Sequence, residues 1–233
     1  MADIPRAVGR SLFRQRSDIL VAAGVVMVVM MMIIPLPTVI LDLLMAFNLV
    51  LSLFIILIVL YTKRALDFSV FPTMLLISTV FGLALNVSST RLILSQGSEF
   101  GGRIVRAFSG FVVGAAGVQG IVIGFIIFLI IIAVQFVVIT KGSTRVAEVA
   151  ARFTLDALPG KQMAIEAEYN SGAITEEEST RRKNDLQRQV DFYGAMDGAS
   201  KFVSGNVKVG ILITLINIIG GIVVGMTIHA ETL

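Results

Sequence analysis

Few side chains in this sequence can do chemistry, and most of those that can are charges placed beside apolar runs. There is no cysteine and one histidine, His229. Disulfides, thiolate metal sites and cysteine catalysis are therefore excluded, and a lone imidazole builds no metal centre. Gly160-Lys161 is not a phosphate loop, because Leu155 stands where that loop needs its first glycine. No nucleophile–base pair is apparent, and no cofactor is implied. What remains is ionic and polar. Arg145, Glu148, Arg152 and Asp156 are spaced three, four and four apart, which sets alternating charges on one helix face. Asp42 and Asn48 interrupt a long apolar run, where they either line a wet path or, for Asp42, mark the outer interface. Asn206 and Lys208 stand at the start of the last apolar run. The simplest role for Lys208 is to snorkel to the interface, and for Asn206 to cap a helix.

The elements that must carry these groups are membrane spans. Hydrophobic residues make up 56% of the 233 positions and charged residues 15%, against about 45–50% and about 25% in soluble domains. An all-α, polytopic helical membrane protein is expected, with spans at about 19–34, 39–61, 71–85, 111–139 and 207–228. Residues 1–18 form a cytoplasmic segment with Arg6, Arg10, Arg14 and Arg16. It is not a signal peptide, since no small-x-small cleavage site follows and further spans do. Residues 19–139 then hold four transmembrane helices, 140–205 a small, mainly helical cytoplasmic domain, and 206–233 the fifth span.

Basic residues set the topology. The N-terminal arginines, Lys63-Arg64 and the basic residues from Lys141 to Lys201 share one side, taken as cytoplasmic. The Pro35–Pro37 turn faces outward. Residues 86–109 read as a polar, Gly-rich outer loop, yet that loop would carry Arg91, Arg103 and Arg106 outside. Either it folds back into the protein, or the third span is not a simple crossing. Gly110/Gly114, Gly120/Gly124 and Gly221/Gly225 are spaced four apart and fit close helix packing. In the cytoplasmic section Pro159-Gly160 should end a helix. Thr175 and Glu178 form a capping box, with Glu177–Arg181 and Glu178–Arg182 pairs behind it. Leu186, Val190 and Tyr193 make an apolar stripe. The formal charge of +3 is scattered, so no nucleic acid is expected.

Longer stretches carry a resemblance. The run from Arg145 to Ile165 (RVAEVAARFTLDALPGKQMAI), Asp191 to Val203, Pro35 to Thr38, Leu66 to Ser69, Phe71 to Thr73 and Asn86 to Ile93 resemble the FHIPEP family of type III secretion export gates. The wording around Asp191-Phe192-Tyr193 is more similar to the flagellar branch than to that of virulence injectisomes. The resemblance implies a protein export component of the bacterial inner membrane at the flagellar basal body, coupling proton motive force to export. It also implies a homo-oligomeric, nonameric ring in contact with membrane lipid and other export-gate membrane proteins. Further helices and a C-terminal domain that meets the export ATPase and chaperone–substrate complexes are expected beyond Leu233. The isolated chain is then expected to assemble incompletely.

Arg91, Arg145, Arg152, Asp156 and Lys201 match charged positions implicated in export by that resemblance. Asn206 stands where the family has an acidic residue, so Asp197 or Asp156 would have to supply a titrating carboxylate. Lys208 replaces an apolar residue and Gly82 a common arginine. An ion channel or secondary transporter is the alternative, though no internal repeat supports it. An intramembrane enzyme would need a catalytic cluster that the spans lack.

Overall fold

The computed structural model describes residues 19, 22–114 and 117–227, and among these every regular element is helical. Helix α1 is Ala22–Ile33; the remainder of the expected first span lies partly outside the described residues. The proline turn at 35–37 precedes α2, Thr38–Tyr61. Proline suits that place because the first helical residues have no intrahelical acceptor for their N–H groups. Thr62 ends α2, its Oγ1 donating to the Ile58 carbonyl at 2.7 Å. A 3-10 turn at Ala65–Phe68 leads to α3, Phe71–Gln96, with Pro72 in its first turn. After α3 come α4, Arg103–Val113, and α5, Gly117–Val134. A π-helix, Gln135–Ser143, joins α5 to α6, Thr144–Asp156. Helix α7 is Leu158–Asn170 and α8 is Glu176–Thr227.

Among the described residues, four helical stretches are long and apolar enough to cross a membrane: α2, α3, the run Val122–Asn170, and α8. Apart from a small core, their apolar side chains face outward, Leu60 being 74% and Phe125 59% exposed. Such a surface suits lipid, which is as apolar as leucine. The core lies where α1, α2 and α3 meet: Met31, Leu41, Phe81, Ala84, Leu85 and Leu92, with Phe100 beside them. Phe47 meets Phe81 edge to face, at 6.2 Å between centroids.

Three expectations need correction. Residues 86–96 are not loop but the last three turns of α3. Hydropathy stops at them because they are polar, but much of that polarity is spent inside the protein. Ser88 donates to the Met31 carbonyl at 2.7 Å, and Arg91 donates to the carbonyls of Ile33 at 2.6 Å and Met32 at 3.2 Å. These are C-terminal carbonyls of α1, which have no partner within their own helix. Residues 111–139 are likewise not one span. Gly114, in the left-handed region at φ 60°, closes α4 before α5 begins, so Gly110 and Gly114 do not share a spanning helix. Finally, Pro159 and Gly160 open α7 rather than close α6, a turn at Ala157 separating the two.

Removing the Ser88 hydroxyl would leave the Met31 carbonyl without its donor. Ser88→Ala is expected to lower unfolding stability in detergent by about 1–3 kcal/mol, measured by denaturant titration of helicity.

Candidate charge-coupling site

Helix α8 continues for 52 residues, about 78 Å at the usual rise. The expected boundary at 205/206 therefore coincides with no break in the helix. Asn206 lies inside α8 and caps nothing, which corrects the capping role. A cap needs a helix start, and the start of α8 is thirty residues earlier. There Thr175 accepts from the Glu178 N–H at 3.3 Å. The Glu178 carboxylate does not return to complete a capping box. It takes Arg181 at 2.8 Å and Arg182 at 2.9 Å, so the expected Glu177–Arg181 pair gives way to Glu178–Arg181.

Helices α6 and α7 pack antiparallel against α8. Arg182 reaches Glu168 at 2.7 Å and Lys183 reaches Glu166 at 3.1 Å. Higher up, Ala151 and Ala199 are buried, 5% and 1% exposed. Lys201 donates to Asp197 at 2.7 Å. That hydrogen bond, the charge of Asp197 and the more distant Glu148 together hold the Lys201 ammonium above the ordinary lysine range. Glu148, Asp197 and Lys201 are thus brought together from two helices. Arg152 and Asp156 form an exposed pair at 3.6 Å on α6, and Arg145 is exposed on the same helix. Arg91 is remote from this group, engaged with the end of α1.

Several segments singled out in the sequence line one cleft of about 970 Å³ between the 62–70 turn and α6–α8. Arg64, Asp67, Lys161, Asp191, Phe192 and Tyr193 contribute to its walls. Leu186 is buried, with Val190 and Tyr193 half-buried, as the apolar stripe requires.

Within the apolar region α8 is held to α3. Asn217 Nδ2 donates to Thr90 Oγ1 at 3.1 Å, while Asn217 Oδ1 is buried without a partner. A Cβ at Gly220 would lie 3.3 Å from Leu94, so glycine lets α3 and α8 approach there. Sequence spacing singled out Gly221 instead, where a Cβ would meet open space. The same is true at Gly110 and Gly114, whereas Gly124 lies against Val113, a Cβ there coming within 3.3 Å of it. Gly120 is buried in α5 and Gly225 half-buried in α8. Asp42, read as an interface residue, accepts from the N–H groups of Arg103 at 2.9 Å and Ile104 at 3.2 Å. It therefore caps α4 from a neighbouring helix, and its charge suits the positive end of that helix. His229 lies outside the described residues.

Comparison with known proteins places these features in context. The family model described as "FHIPEP family" matches residues 28–233. The chain is 70% identical over 214 residues to the flagellar biosynthesis protein FlhA of Borreliella burgdorferi, covering 92% of the chain and 31% of that relative. It is 62% identical over 215 residues to FlhA of Treponema pallidum, covering 92% and 30%. Identity to FlhA of Bacillus subtilis is 52% over 209 residues, covering 90% and 30%. The chain thus spans about three-tenths of the length of the relatives it matches. No solved structure matches it.

The hairpin of α7 and α8 has a calculable pH response. Hydrogen bonds from Arg181, then Arg182, hold the Glu178 carboxyl below its ordinary range. A depressed carboxyl stabilises the fold above its unfolded pKa, about 4.3, and loses that contribution as pH falls through its lower folded value. Amide exchange over residues 176–182, corrected for intrinsic rates, is expected to accelerate only on acidification below that range. Glu178→Gln should show the faster exchange already at neutral pH.

Proposed function

The chain belongs to the FHIPEP family, and from that premise we propose that it is the membrane-embedded part of a flagellar type III export gate that couples the proton motive force to protein export. The observation that carries the coupling is mechanical. Asp197 and Lys201 stand on the same unbroken helix as the apolar stretch after residue 206, and Glu148 faces them from the helix that continues α5. A movement of α5 or α8 in the bilayer is therefore passed directly to this cluster. Conversely, a proton on Asp197 would weaken its bond to Lys201 and change the contact between α6 and α8. Asn206 exchanges no proton in the physiological range, so the coupling proposed here rests on the Glu148–Asp197–Lys201 cluster.

The location proposed is the bacterial inner membrane, with the N-terminus in the cytoplasm, as the distribution of lysine and arginine favours. The partners proposed are further copies of the chain in a ring, other membrane proteins of the gate, and the ATPase and chaperone–substrate complexes that bring cargo. The role is conformational, with no bond made or broken by the chain.

Deletion of the gene should abolish release of hook and filament proteins into the culture medium, and the full-length gene should restore it. The same gene with Asp197→Asn should restore membrane insertion but release several-fold less cargo. Loss of virulence effectors alone would move the protein to an injectisome, and normal release after deletion would remove the export reading. Normal release by Asp197→Asn would remove this carboxylate from the coupling.

A further inference from the structure

The segment between the last membrane turn of α5 and the charged helix α6 is wound differently from the rest of the chain. Gln135–Ser143 is a nine-residue π-helix, a geometry that is rare and usually confined to single turns. Its side chains are committed to the wider winding. Thr140 Oγ1 donates to the Gln135 carbonyl at 3.0 Å, five residues back. Lys141 Nζ lies over the Phe136 ring, 5.2 Å from its centroid, again five residues back. In a regular α-helix side chains five apart point about 140° away from each other, so neither the Lys141–Phe136 contact nor the Thr140 bond would survive there.

The winding also leaves a debt. Thr62, Thr79, Thr90, Thr154, Thr214 and Thr227 each donate to the carbonyl four residues earlier. Thr144, the first residue after the π-helix, has a buried hydroxyl without a partner. An α-helical segment would offer it the Thr140 carbonyl in the ordinary way. Gly142, with no side chain to anchor it, lies within the same stretch.

Helix α6 in turn carries two apolar faces, one residue apart. Ala147, Ala151 and Thr154 form the less exposed face of α6, a helix that packs on α8, with Ala151 buried and the other two half-buried. Val146, Ala150 and Phe153 form the adjacent face and stand exposed, Val146 at 70% and Phe153 at 73%. A π ring encloses one residue more than an α ring. Closing one such ring advances everything after it by one position, about 100°. That rotation is the offset between the two faces.

We propose that Gln135–Ser143 is a register switch. In the second state the segment closes toward α-helix, Thr144 gains its carbonyl, and α6 turns by one position. Val146, Ala150 and Phe153 then replace Ala147, Ala151 and Thr154 against α8, alanine taking the place of alanine opposite Ala199. Glu148 leaves the side of Lys201, and Ala147 takes its position. A small change of winding at the end of a membrane helix thereby rearranges the charged face of α6. The switch does not depend on the export reading, because its test needs no secretion.

Residues 1–233 hold no cysteine, so introduced thiols are unique within them, and any cysteine elsewhere in the full-length protein is first replaced by serine. Two pairs report the two registers in membrane vesicles carrying the full-length protein: Ala151→Cys with Ala199→Cys, and Ala150→Cys with Ala199→Cys. Mild oxidation should cross-link both, the Ala151 pair predominating. Adding Thr140→Val and Lys141→Leu, which removes both five-residue contacts, should shift the ratio several-fold toward the Ala150 pair. Thr144→Val should shift it back. Deleting Val138 should leave the Ala151 pair alone, since the segment can then close without turning α6. The proposal is overturned if the Ala150 pair stays at background throughout, or if its share is unchanged by Thr140→Val with Lys141→Leu. It is equally overturned if neither pair forms, because the α6–α8 face would then not exist as described.

Discussion

A backbone carbonyl at a helix end has no donor in its own helix, and in a bilayer it has no water to turn to. Helix α1 ends on such carbonyls, those of Met31, Met32 and Ile33, and α3 answers them with Ser88 and Arg91. Much of the membrane region follows from this requirement. To bring those donors to α1, α3 must continue through its polar residues instead of breaking into a loop. Once it does, Thr90 on the same turn becomes available to Asn217, and Leu94 meets α8 at Gly220. Arginine serves here because its planar fork can serve two carbonyls at once and its charge favours a helix C-terminus. The polar run from Asn86 to Arg91 is therefore a clasp between helices.

The same economy appears at Asp42, which belongs to α2 but caps α4. In each case a polar group inside an apolar helix satisfies the backbone of another helix. This arrangement ties α1 and α8 to α3, and α4 to α2, where hydrophobic association gives no preference, since lipid is as apolar as the side chains. The charged half is built by the opposite means, with ion pairs between α7 and α8 and small buried alanines, Ala151 and Ala199, where α6 packs on α8. A narrow contact slides or rotates more readily than a filled core. A stiff helix that crosses the boundary without interruption, α8, joined by a soft contact to α6, is suited to transmit motion.

The second span and the apolar end of α8 were legible because their apolar runs are long, and the start of α8 was legible because threonine before three glutamates is a local signal. The end of α3 was not, since hydropathy treats Ser88 and Arg91 as solvent-seeking and has no access to carbonyls 57 to 59 residues away. The difficulty was nevertheless visible: Arg91 and Arg103 fell on the wrong side of a simple topology, and both belong to segments that fold back against α1 and α2. Glycine spacing located Gly124 but preferred Gly221 to Gly220, because spacing along one helix does not say which side a neighbour occupies. The π-helix had no sequence signature beyond Gly142. The continuity of α8 through Asn206 was hidden for a related reason: an asparagine ahead of an apolar run reads equally well as a cap or as a half-buried polar residue within a helix.

The central claim, that polar groups of α3 hold the membrane helices together, is tested most directly by a double-mutant cycle on Thr90 and Asn217. Unfolding free energies would be measured in bilayer-like micelles for Thr90→Val, Asn217→Leu and the pair. The account predicts a favourable coupling of about 0.6 kcal/mol or more, in the range of interhelical hydrogen bonds in membranes. Strictly additive effects would mean that the two side chains do not join α3 to α8, and that the clasp is not what positions these helices.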